Sequence, residues 1–285
     1  MNKKHAYSLL AALLLVINGL CAQTITVGSY NIRYANKTDT GNLWQDRAPV
    51  IISLVRFHDF DVFGTQEGLK NQVDDLSVGL PNYDCYGVGR DDGKDAGEHS
   101  AIYFKKDKFN LLDKGDFWLS QTPDKPSFGW DAQSHKRICS WVLLEDKVSK
   151  HNFYFFNVHY DHRGVIARRE SSHLILKKIK EIAKGLPTIL TGDFNGANDT
   201  EWYKTLAQSE LVFDTQLQIQ YPYKNNASFN AFGSTKALAS DQIIDHIFVT
   251  KDIRAKKWGV LTDTYHGKFP SDHFPILTVL EFTNK

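Results

Sequence analysis

The segment PTILTGDFN, residues 187–195, is the part of the chain that most constrains its fold. Ile189 and Leu190 form a short apolar run between chain breakers, which predicts a buried strand. Asp193 and Asn195 follow two residues apart, so their side chains point to the same side of an extended chain. α/β proteins often build their sites at strand ends of this kind. Asp and Asn are also common in ordinary turns, so this segment alone fits a functional site and an ordinary turn equally well, and the rest of the sequence must decide between them.

The first 22 residues have the pattern of a signal peptide. Two lysines precede an apolar run at residues 9–17, and Ala22 supplies a small residue at the expected cleavage point. The run is shorter than the roughly 20 residues of a comfortable membrane span. We therefore predict cleavage after Ala22 and export to a periplasm or the medium. Lipid anchoring through Cys21 is the minor alternative, because the residues before it do not resemble a lipidation box.

The predicted mature chain, residues 23–285, is close to neutral. The full sequence has 34 Lys and Arg against 33 Asp and Glu, and removal of Lys3 and Lys4 leaves 32 against 33. A protein that holds long DNA mainly through its phosphates is usually more basic. A nucleic-acid substrate is therefore expected to be short or bound locally.

Two cysteines, Cys85 and Cys139, remain in the predicted mature chain. Export would permit a disulfide between them. Both lie in apolar, strand-like runs, which fits two separate buried thiols equally well. The sequence leaves these alternatives open.

The mature chain alternates between strand-like and helix-like patterns, without an internal repeat or a linker. Alternating or short apolar runs predict further strands at residues 24–32, 61–64, 83–88, 101–104, 109–119, 138–144, 152–158, 243–249, 258–261 and 274–282. Apolar stripes predict helices that begin near Gly41, Leu69, Arg163 and Thr200. Strands dominate, which predicts one α/β domain of two mixed sheets packed face to face with helices outside.

Polar side chains recur where these strands begin or end. They are Asn31, Glu67, Glu98, His159, Asp193, Asn195, Asp245, Asp272 and His273. Buried acids are costly unless they are paired or bound to a metal. A single polar cluster at one edge of the sheets would account for all of them.

Six blocks of this sequence resemble, in order, those of the endonuclease/exonuclease/phosphatase superfamily, which has the DNase-I-like fold. The blocks are Ser-Tyr-Asn-Ile-Arg, Thr-Gln-Glu-Gly, Asn-Val-His-Tyr-Asp-His, Thr-Gly-Asp-Phe-Asn, Ile-Asp-His-Ile and Ser-Asp-His-Phe-Pro. Within the superfamily, the chain looks most similar to exported bacterial members related to the carbon-catabolite-repressor-type deadenylases. The resemblance implies a four-layer DNase-I-like sandwich and a metal-dependent phosphoric ester hydrolase.

The resemblance and the oxygen-rich side chains together indicate a Mg²⁺ site, with Mn²⁺ as a substitute. Mg²⁺ binds a few carboxylate oxygens and keeps waters, which leaves room for a substrate phosphate. We expect Glu67 to be the principal ligand, Asn31 to lie beside it, and Asp245 to be a further metal or water ligand. A turn-capping role is the alternative for Asn31. Zinc fits less well, because no Cys/His spacing suits it.

The resemblance also implies catalytic roles. We expect Asp272 to orient His273, which would act as a base or as a transition-state donor. Asp193 would orient or deprotonate the attacking water, and Asn195 would hold that water or a phosphate oxygen. His159 would donate to the phosphate or to the departing oxygen, and Glu98 is expected to pair with it.

Other side chains are candidates for substrate contacts. Those expected to bind phosphate are Arg33, Arg90, His162 and Arg163. Aromatic side chains that would stack on a base are Phe128, Trp130 and Phe232. Taken singly, each of these is more often a surface charge or a packed ring than a ligand contact.

The expected reaction is in-line attack of water on a phosphate ester, without a covalent enzyme intermediate. Short single-stranded nucleic acid is the first expected substrate. A small phosphorylated metabolite or a lipid head group, of the inositol-phosphate or sphingomyelin type, is the alternative, because specificity depends on loops such as 87–99 and 120–136. A non-catalytic binding module is the second alternative, and it predicts gaps in the catalytic set that this sequence does not show. The oligomeric state is left open.

Overall fold

The structure is a computed structural model that describes residues 24–283. Its strands are β1 (Thr24–Asn31), β2 (Val62–Gln66), β3 (Tyr83–Tyr86), β4 (Ile102–Lys105), β5 (Phe109–Trp118), β6 (Ile138–Asp146), β7 (Asn152–His159), β8 (Thr188–Asp193), β9 (Phe213–Asp214), β10 (Asp245–Val249), β11 (Ile253–Val260) and β12 (Ile276–Phe282). Its α-helices are α1 (Trp44–His58), α2 (Lys70–Gly79), α3 (Val165–Ala183), α4 (Glu201–Ala207) and α5 (Thr235–Leu238), and residues Gln216–Gln218 form a 3₁₀ turn. The predicted signal peptide, residues 1–22, lies outside the described residues.

The strands form two six-stranded mixed sheets. The first has the order β11-β12-β1-β2-β4-β3, and the second β5-β6-β7-β8-β10-β9. β1 pairs in parallel with β2, and β7 pairs in parallel with β8, while β12 and β10 flank these pairs antiparallel. Asn31 pairs with Gln66 at the end of one parallel pair, and His159 pairs with Asp193 at the end of the other. In each sheet, the ends of two parallel strands therefore lie side by side: β1 and β2 in the first, β7 and β8 in the second.

Apolar side chains of the two sheets pack against each other and form the central core. Its buried members include Val27, Ile102, Phe155 and Ile276. Strands β2, β8 and β10 are buried along their whole length, because each has neighbours on both sides and packing on both faces. Polar residues at the ends of these strands, such as Asp193 and Asp245, are therefore buried as well.

Helices cover the outer face of each sheet. Ile51 and Leu54 of α1 pack in one cluster with Phe63 of the first sheet. Ile175 of α3 packs in another cluster with Phe156 of the second sheet. The result is a four-layer arrangement of helices, sheet, sheet and helices, as the sequence predicts.

The two cysteines of the described chain are free thiols. Cys85 lies on β3 in the first sheet and is half-buried, whereas Cys139 lies on β6 in the second sheet and is buried. Of the two alternatives left open by the sequence, the structure contains the separate thiols and not the disulfide.

A buried asparagine joins the sheets just below the strand ends. The side-chain NH₂ of Asn157 on β7 donates to two backbone carbonyl oxygens of the first sheet region, at 2.8 and 3.0 Å. Its Oδ1 accepts from Gln66 Nε2 at 2.7 Å and from Thr191 Oγ1 at 3.0 Å. A Cβ at Gly64 would lie 2.3 Å from Asn157 Oδ1, so the facing strand needs glycine at that position. This network fixes the sheets relative to each other.

We predict that Asn157→Ala lowers the free energy of unfolding by about 2–4 kcal/mol, because it leaves several buried polar groups without partners. Urea unfolding followed by fluorescence measures the change. The control is Asn82→Ala at an exposed asparagine, for which we expect a change within about 0.5 kcal/mol. Equal effects of the two substitutions would contradict this role of Asn157.

Candidate active site

The four strand ends meet at an open cavity of about 500 Å³. The sequence-predicted residues that line it are Arg33, Glu67, Glu98, His159, His162, Asp193, Asn195, Asp272 and His273. Asn31 and Asp245 lie behind this lining and hydrogen bond to members of it. The structure therefore brings together residues that are up to 242 positions apart in the chain.

His273 lies between two buried carboxylates. Its Nδ1 is 2.8 Å from Asp245 Oδ2, and its Nε2 is 3.7 Å from Asp193 Oδ2. We expected Asp272 to orient this ring, and that pairing is wrong, because the structure shows Asp245 in this position. The Asp272 carboxylate instead accepts from Ser271 Oγ at 3.4 Å and lies 3.8 Å from the guanidinium of Arg33.

The pKa values of this group follow from burial and from the neighbouring charges. Burial lowers the pKa of His273, but the carboxylates of Asp245 and Asp193 outweigh it and raise the pKa to about 10. Burial and the Asp245 carboxylate raise the pKa of Asp193 to about 7. His273 is therefore a cation at neutral pH, and Asp193 is close to the point at which it accepts a proton.

Asn31 holds two carboxylates together. Its Nδ2 donates to Glu67 Oε1 and to Asp193 Oδ2, each at 3.0 Å, while its Oδ1 accepts from the backbone N–H of Arg33 at 3.0 Å. The backbone N–H can only donate, so it fixes which way the amide points. Asn31 thus lies beside Glu67 and presents its NH₂ group, not its oxygen, to the acids.

Three residues around the cavity have a left-handed backbone. They are Arg33, Glu67 and Asn195, with φ of 55°, 66° and 47°. Such conformations are uncommon outside glycine and concentrate at functional sites. Each follows β1, β2 or β8 by at most two residues, so the chain turns sharply as it leaves the sheet. The Glu67 carboxylate is held in place by Asn31 and by the backbone N–H of Tyr34 at 3.1 Å.

The acids of the cavity fit a divalent cation. Burial, with repulsion from Glu67, raises the pKa of Asp272 to about 6 although His273 opposes the shift. Asp193, Asp245 and His273 offer ligand atoms within 4.8 Å of one another, but a protonated imidazole cannot bind a metal. Glu67 and Asp193, which share Asn31 Nδ2 as a hydrogen-bond donor, are carboxylates that would hold a hard cation, which would neutralise charge on a bound phosphate. Asp245, expected as a ligand, hydrogen bonds to His273 through Oδ2, and its Oδ1 has no hydrogen-bond partner among residues 24–283.

His159 is buried and neutral. Burial and the nearby guanidinium of Arg137 hold its pKa well below the ordinary value. Asn195 Nδ2 lies 3.2 Å from His159 Nε2 and also donates to the Tyr160 carbonyl at 3.1 Å, so Nε2 is the acceptor. The proton of the neutral ring is then on Nδ1, which lies 3.8 Å from Glu98 Oε2. The expected Glu98–His159 pair is thus adjacent in space, and its catalytic role stays a prediction.

Two of the four expected phosphate contacts do not line the cavity. Arg90 is buried and donates to both oxygens of Glu98, at 2.5 and 2.8 Å, so its guanidinium is already paired with a carboxylate. Arg163 is exposed beside the cavity. Arg33 and His162 do line it, although Arg33 also pairs with Asp39 at 2.9 Å.

The aromatic residues named from the sequence also lie elsewhere. Those expected to stack on a base, Phe128, Trp130 and Phe232, do not line the cavity. The rings that do line it are Tyr34 and Phe229, together with histidines. Arg33 covers one face of Tyr34 at 4.4 Å, and Phe229 packs edge-on against His273.

Sequence reasoning missed His135 and Arg137, which both line the cavity. Arg137 is buried, lies 3.5 Å from Asp161 Oδ2 and hydrogen bonds to His162 Nδ1 at 3.0 Å. Neither residue belongs to a recognisable sequence block. His135 lies in loop 120–136, which was expected to determine specificity, and Arg137 directly precedes a predicted strand, a position that many surface residues share.

The chain matches the Endonuclease/Exonuclease/phosphatase family over residues 28–273, and it belongs to that family. A family protein from Bacteroides thetaiotaomicron of solved structure is 46% identical, with a TM-score of 0.88, over 92% of this chain and 98% of that one. A mannosyl-6-phosphatase from the same organism is 47% identical, also with a TM-score of 0.88, over 90% of this chain and 100% of that one. The Ccr4 exoribonuclease subunit of Mycosarcoma maydis is 24% identical over 90% of this chain, which spans 50% of that protein.

These similarities confirm two predictions from the sequence. The two mixed sheets with outer helices are the DNase-I-like α/β sandwich. Members of the family hydrolyse phosphoric esters and are generally dependent on divalent metals, so the chain is a phosphoric ester hydrolase. The buried acids described above match that chemistry.

We predict that Asp245→Asn, and not Asp272→Asn, removes the charge of His273 at neutral pH. The raised pKa of His273, about 10, depends first on the Asp245 carboxylate, so it falls towards its ordinary value when that charge is lost. NMR titration of the imidazole in EDTA-treated protein measures the shift. We also expect kcat to fall about 10²–10⁴-fold in Asp245→Asn.

The same shift predicts how stability depends on pH. The pKa of His273 is higher in the folded state than in the unfolded state. Its charge therefore contributes fully to the free energy of unfolding below pH 6.5, and this contribution is lost as the pH rises towards about 10. Asp245→Asn should flatten this part of the stability curve. A flattened curve in Asp272→Asn, with no change in Asp245→Asn, would refute the assignment.

Proposed function

We propose that the chain is a Mg²⁺-dependent phosphomonoesterase that removes phosphate from a sugar phosphate. The observation that carries the proposal is the 47% identity to a mannosyl-6-phosphatase over 90% of this chain and the whole of that one. The exoribonuclease relative is much less similar, and the chain spans only half of it.

The cavity and the charge of the chain support this substrate class. A volume of about 500 Å³ suits a small ligand, since such sites usually measure about 300–1,000 Å³. Its aromatic rings, Tyr34 and Phe229, already pack against Arg33 and His273. The near-neutral charge is also compatible with a small anionic substrate.

The chain's own residues would act as follows. A water oxygen attacks phosphorus, Asp193 takes a proton from that water, and the bond from phosphorus to the sugar oxygen breaks. Asn31 Nδ2 and the backbone N–H of Asn195 donate to the Asp193 carboxylate and hold it in place for this step. The charged imidazole of His273 stabilises the phosphate oxygens on which negative charge develops. The sugar oxygen takes up a proton from solvent as it leaves, Asp193 releases its proton to solvent, and the products are the free sugar and inorganic phosphate.

Short single-stranded nucleic acid, the first expectation from the sequence, stays a prediction and is the second candidate. The similarity to the Ccr4 exoribonuclease subunit favours it. It would use the same centre, with a phosphodiester in place of the monoester. One assay can separate the two candidates.

The assay uses residues 23–285 with Mg²⁺ and compares mannose 6-phosphate, short oligo(A) and a bis-aryl phosphodiester. We predict phosphate release from the sugar phosphate, loss of activity in EDTA, and recovery with Mg²⁺ or Mn²⁺. Glu67→Gln should lower kcat/KM at least about 100-fold through loss of a metal-holding carboxylate, whereas Glu181→Gln on the exposed face of α3 should not change it. Turnover of oligo(A) alone would establish the nuclease and reject the phosphomonoesterase.

We further propose that the chain is exported and cleaved after Ala22. The support is the charged start and the apolar run at residues 9–17. Within residues 24–283, no helix is both long and apolar enough to cross a membrane. Intact mass of the product from a bacterial periplasm should correspond to a chain that begins at Gln23. A mass that retains residues 1–22 would count against export by this route.

A further inference from the structure

Two histidines in the wall of the cavity have no part in the proposed reaction. His135 comes from the loop before β6, and His162 comes from the turn after β7. Their ring centroids are 5.7 Å apart. They form one cluster with Arg137, whose Nη2 lies 3.0 Å from His162 Nδ1.

The strand order places this cluster relative to the reacting phosphate. β7 carries His159 and lies between β6 and β8 in the second sheet. Asp193 ends β8, on one side of His159, whereas His135 and Arg137 precede β6 on the other side. In an in-line displacement, the leaving oxygen lies opposite the attacking water. With the water at Asp193, the leaving group therefore points towards β6 and the histidine cluster.

Arg137 determines the hydrogen-bonding state of His162. A guanidinium can only donate, so the Nδ1 atom of His162 is an acceptor. Burial, followed by the charge of Arg137, lowers the pKa of His162, and burial, followed by Arg90, lowers the pKa of His135. Both rings are therefore neutral at pH 7. His162 then carries its proton on Nε2, which can donate to a ligand.

Neutral imidazoles suit hydroxyl groups better than they suit a second anion or a second metal. Each ring has one donor and one acceptor, as a hydroxyl group does. Among residues 24–283, the group with metal-ligand spacing is Asp193, Asp245 and His273, which excludes this cluster. The charge of Arg137 is already balanced by Asp161, 3.5 Å away.

We propose that His135 and His162 form the subsite for the hydroxyl groups of the leaving sugar, with Arg137 as the positioning residue of His162. The inference rests on the proposed sugar phosphatase activity and names the residues that select the sugar. His162 donates to one hydroxyl oxygen through Nε2. His135, whose ring nitrogens have no hydrogen-bond partner within residues 24–283, contacts a neighbouring hydroxyl.

The test compares mannose 6-phosphate with cyclohexylmethyl phosphate. Both are monoesters of a primary alcohol, so the chemical step is the same, but the second lacks the ring hydroxyls. The readout is the ratio of the two kcat/KM values. His162→Ala and His135→Ala should each reduce this ratio roughly fivefold, the effect of about one hydrogen bond.

Three controls separate recognition from folding. His173→Ala, at an exposed histidine of α3 outside the cavity, should keep the wild-type ratio. Thermal melting of His135→Ala should match wild type, because this side chain is exposed. Arg137→Lys should reduce the ratio in the wild-type background but should not reduce it further when His162→Ala is already present. General destabilisation by Arg137→Lys would not produce this non-additive result.

The possible outcomes are distinct. If wild-type protein hydrolyses mannose 6-phosphate and the ratio is unchanged in both histidine variants, the subsite is wrong and the proposed function stands. If wild-type protein hydrolyses oligo(A) and neither monoester, both proposals are wrong. A reduced ratio in both variants, with His173→Ala unchanged, establishes the subsite.

Discussion

The candidate site depends on a buried imidazolium held between two carboxylates. His273 lies 2.8 Å from Asp245 and 3.7 Å from Asp193, and all three are almost fully buried. Removal of water alone would lower the pKa of His273 and raise that of Asp193. Attraction to the two carboxylates reverses this for His273, whereas burial, with repulsion from Asp245, leaves Asp193 with a raised pKa. One arrangement thus holds a cationic imidazole beside a carboxylate whose pKa is raised.

That arrangement can form only because two sheets meet at the same edge. Asn31 ends and Glu67 directly follows a strand of the first sheet, and His159 and Asp193 end strands of the second. The Asn157 network lies between these pairs and ties β7 to the first sheet. A shift of one sheet would separate the amide of Asn31 from Asp193. The polar network in the core therefore stabilises the fold and also sets distances in the site.

The strands and most of the cavity residues can be predicted from the sequence, because each is marked by a pattern of neighbouring residues. Apolar alternation marks the strands, and polar residues such as Asp193 and Glu67 stand directly at their ends. The partner of His273 is not a local property. Asp272 is its neighbour in sequence, but the Asp272 carboxylate lies against Ser271 and Arg33. Asp245 reaches the ring from 28 positions away, on β10 of the other sheet.

The side chain of His135, in the wall of the cavity next to β6, can vary without disturbing the reactive groups. Its loop is anchored independently of them, because Asp131 accepts from the backbone N–H groups of Ile166 and Ala167 at the start of α3, at 3.1 and 2.6 Å. Lys136 also donates to the carbonyl oxygen of Asp91, at 2.6 Å. These contacts hold the loop against the start of α3 and against loop 87–99 while leaving the side chain of His135 exposed. If His135 belongs to the proposed subsite, its substitution would change which leaving group is bound, whereas the charges that act on phosphorus stay in place.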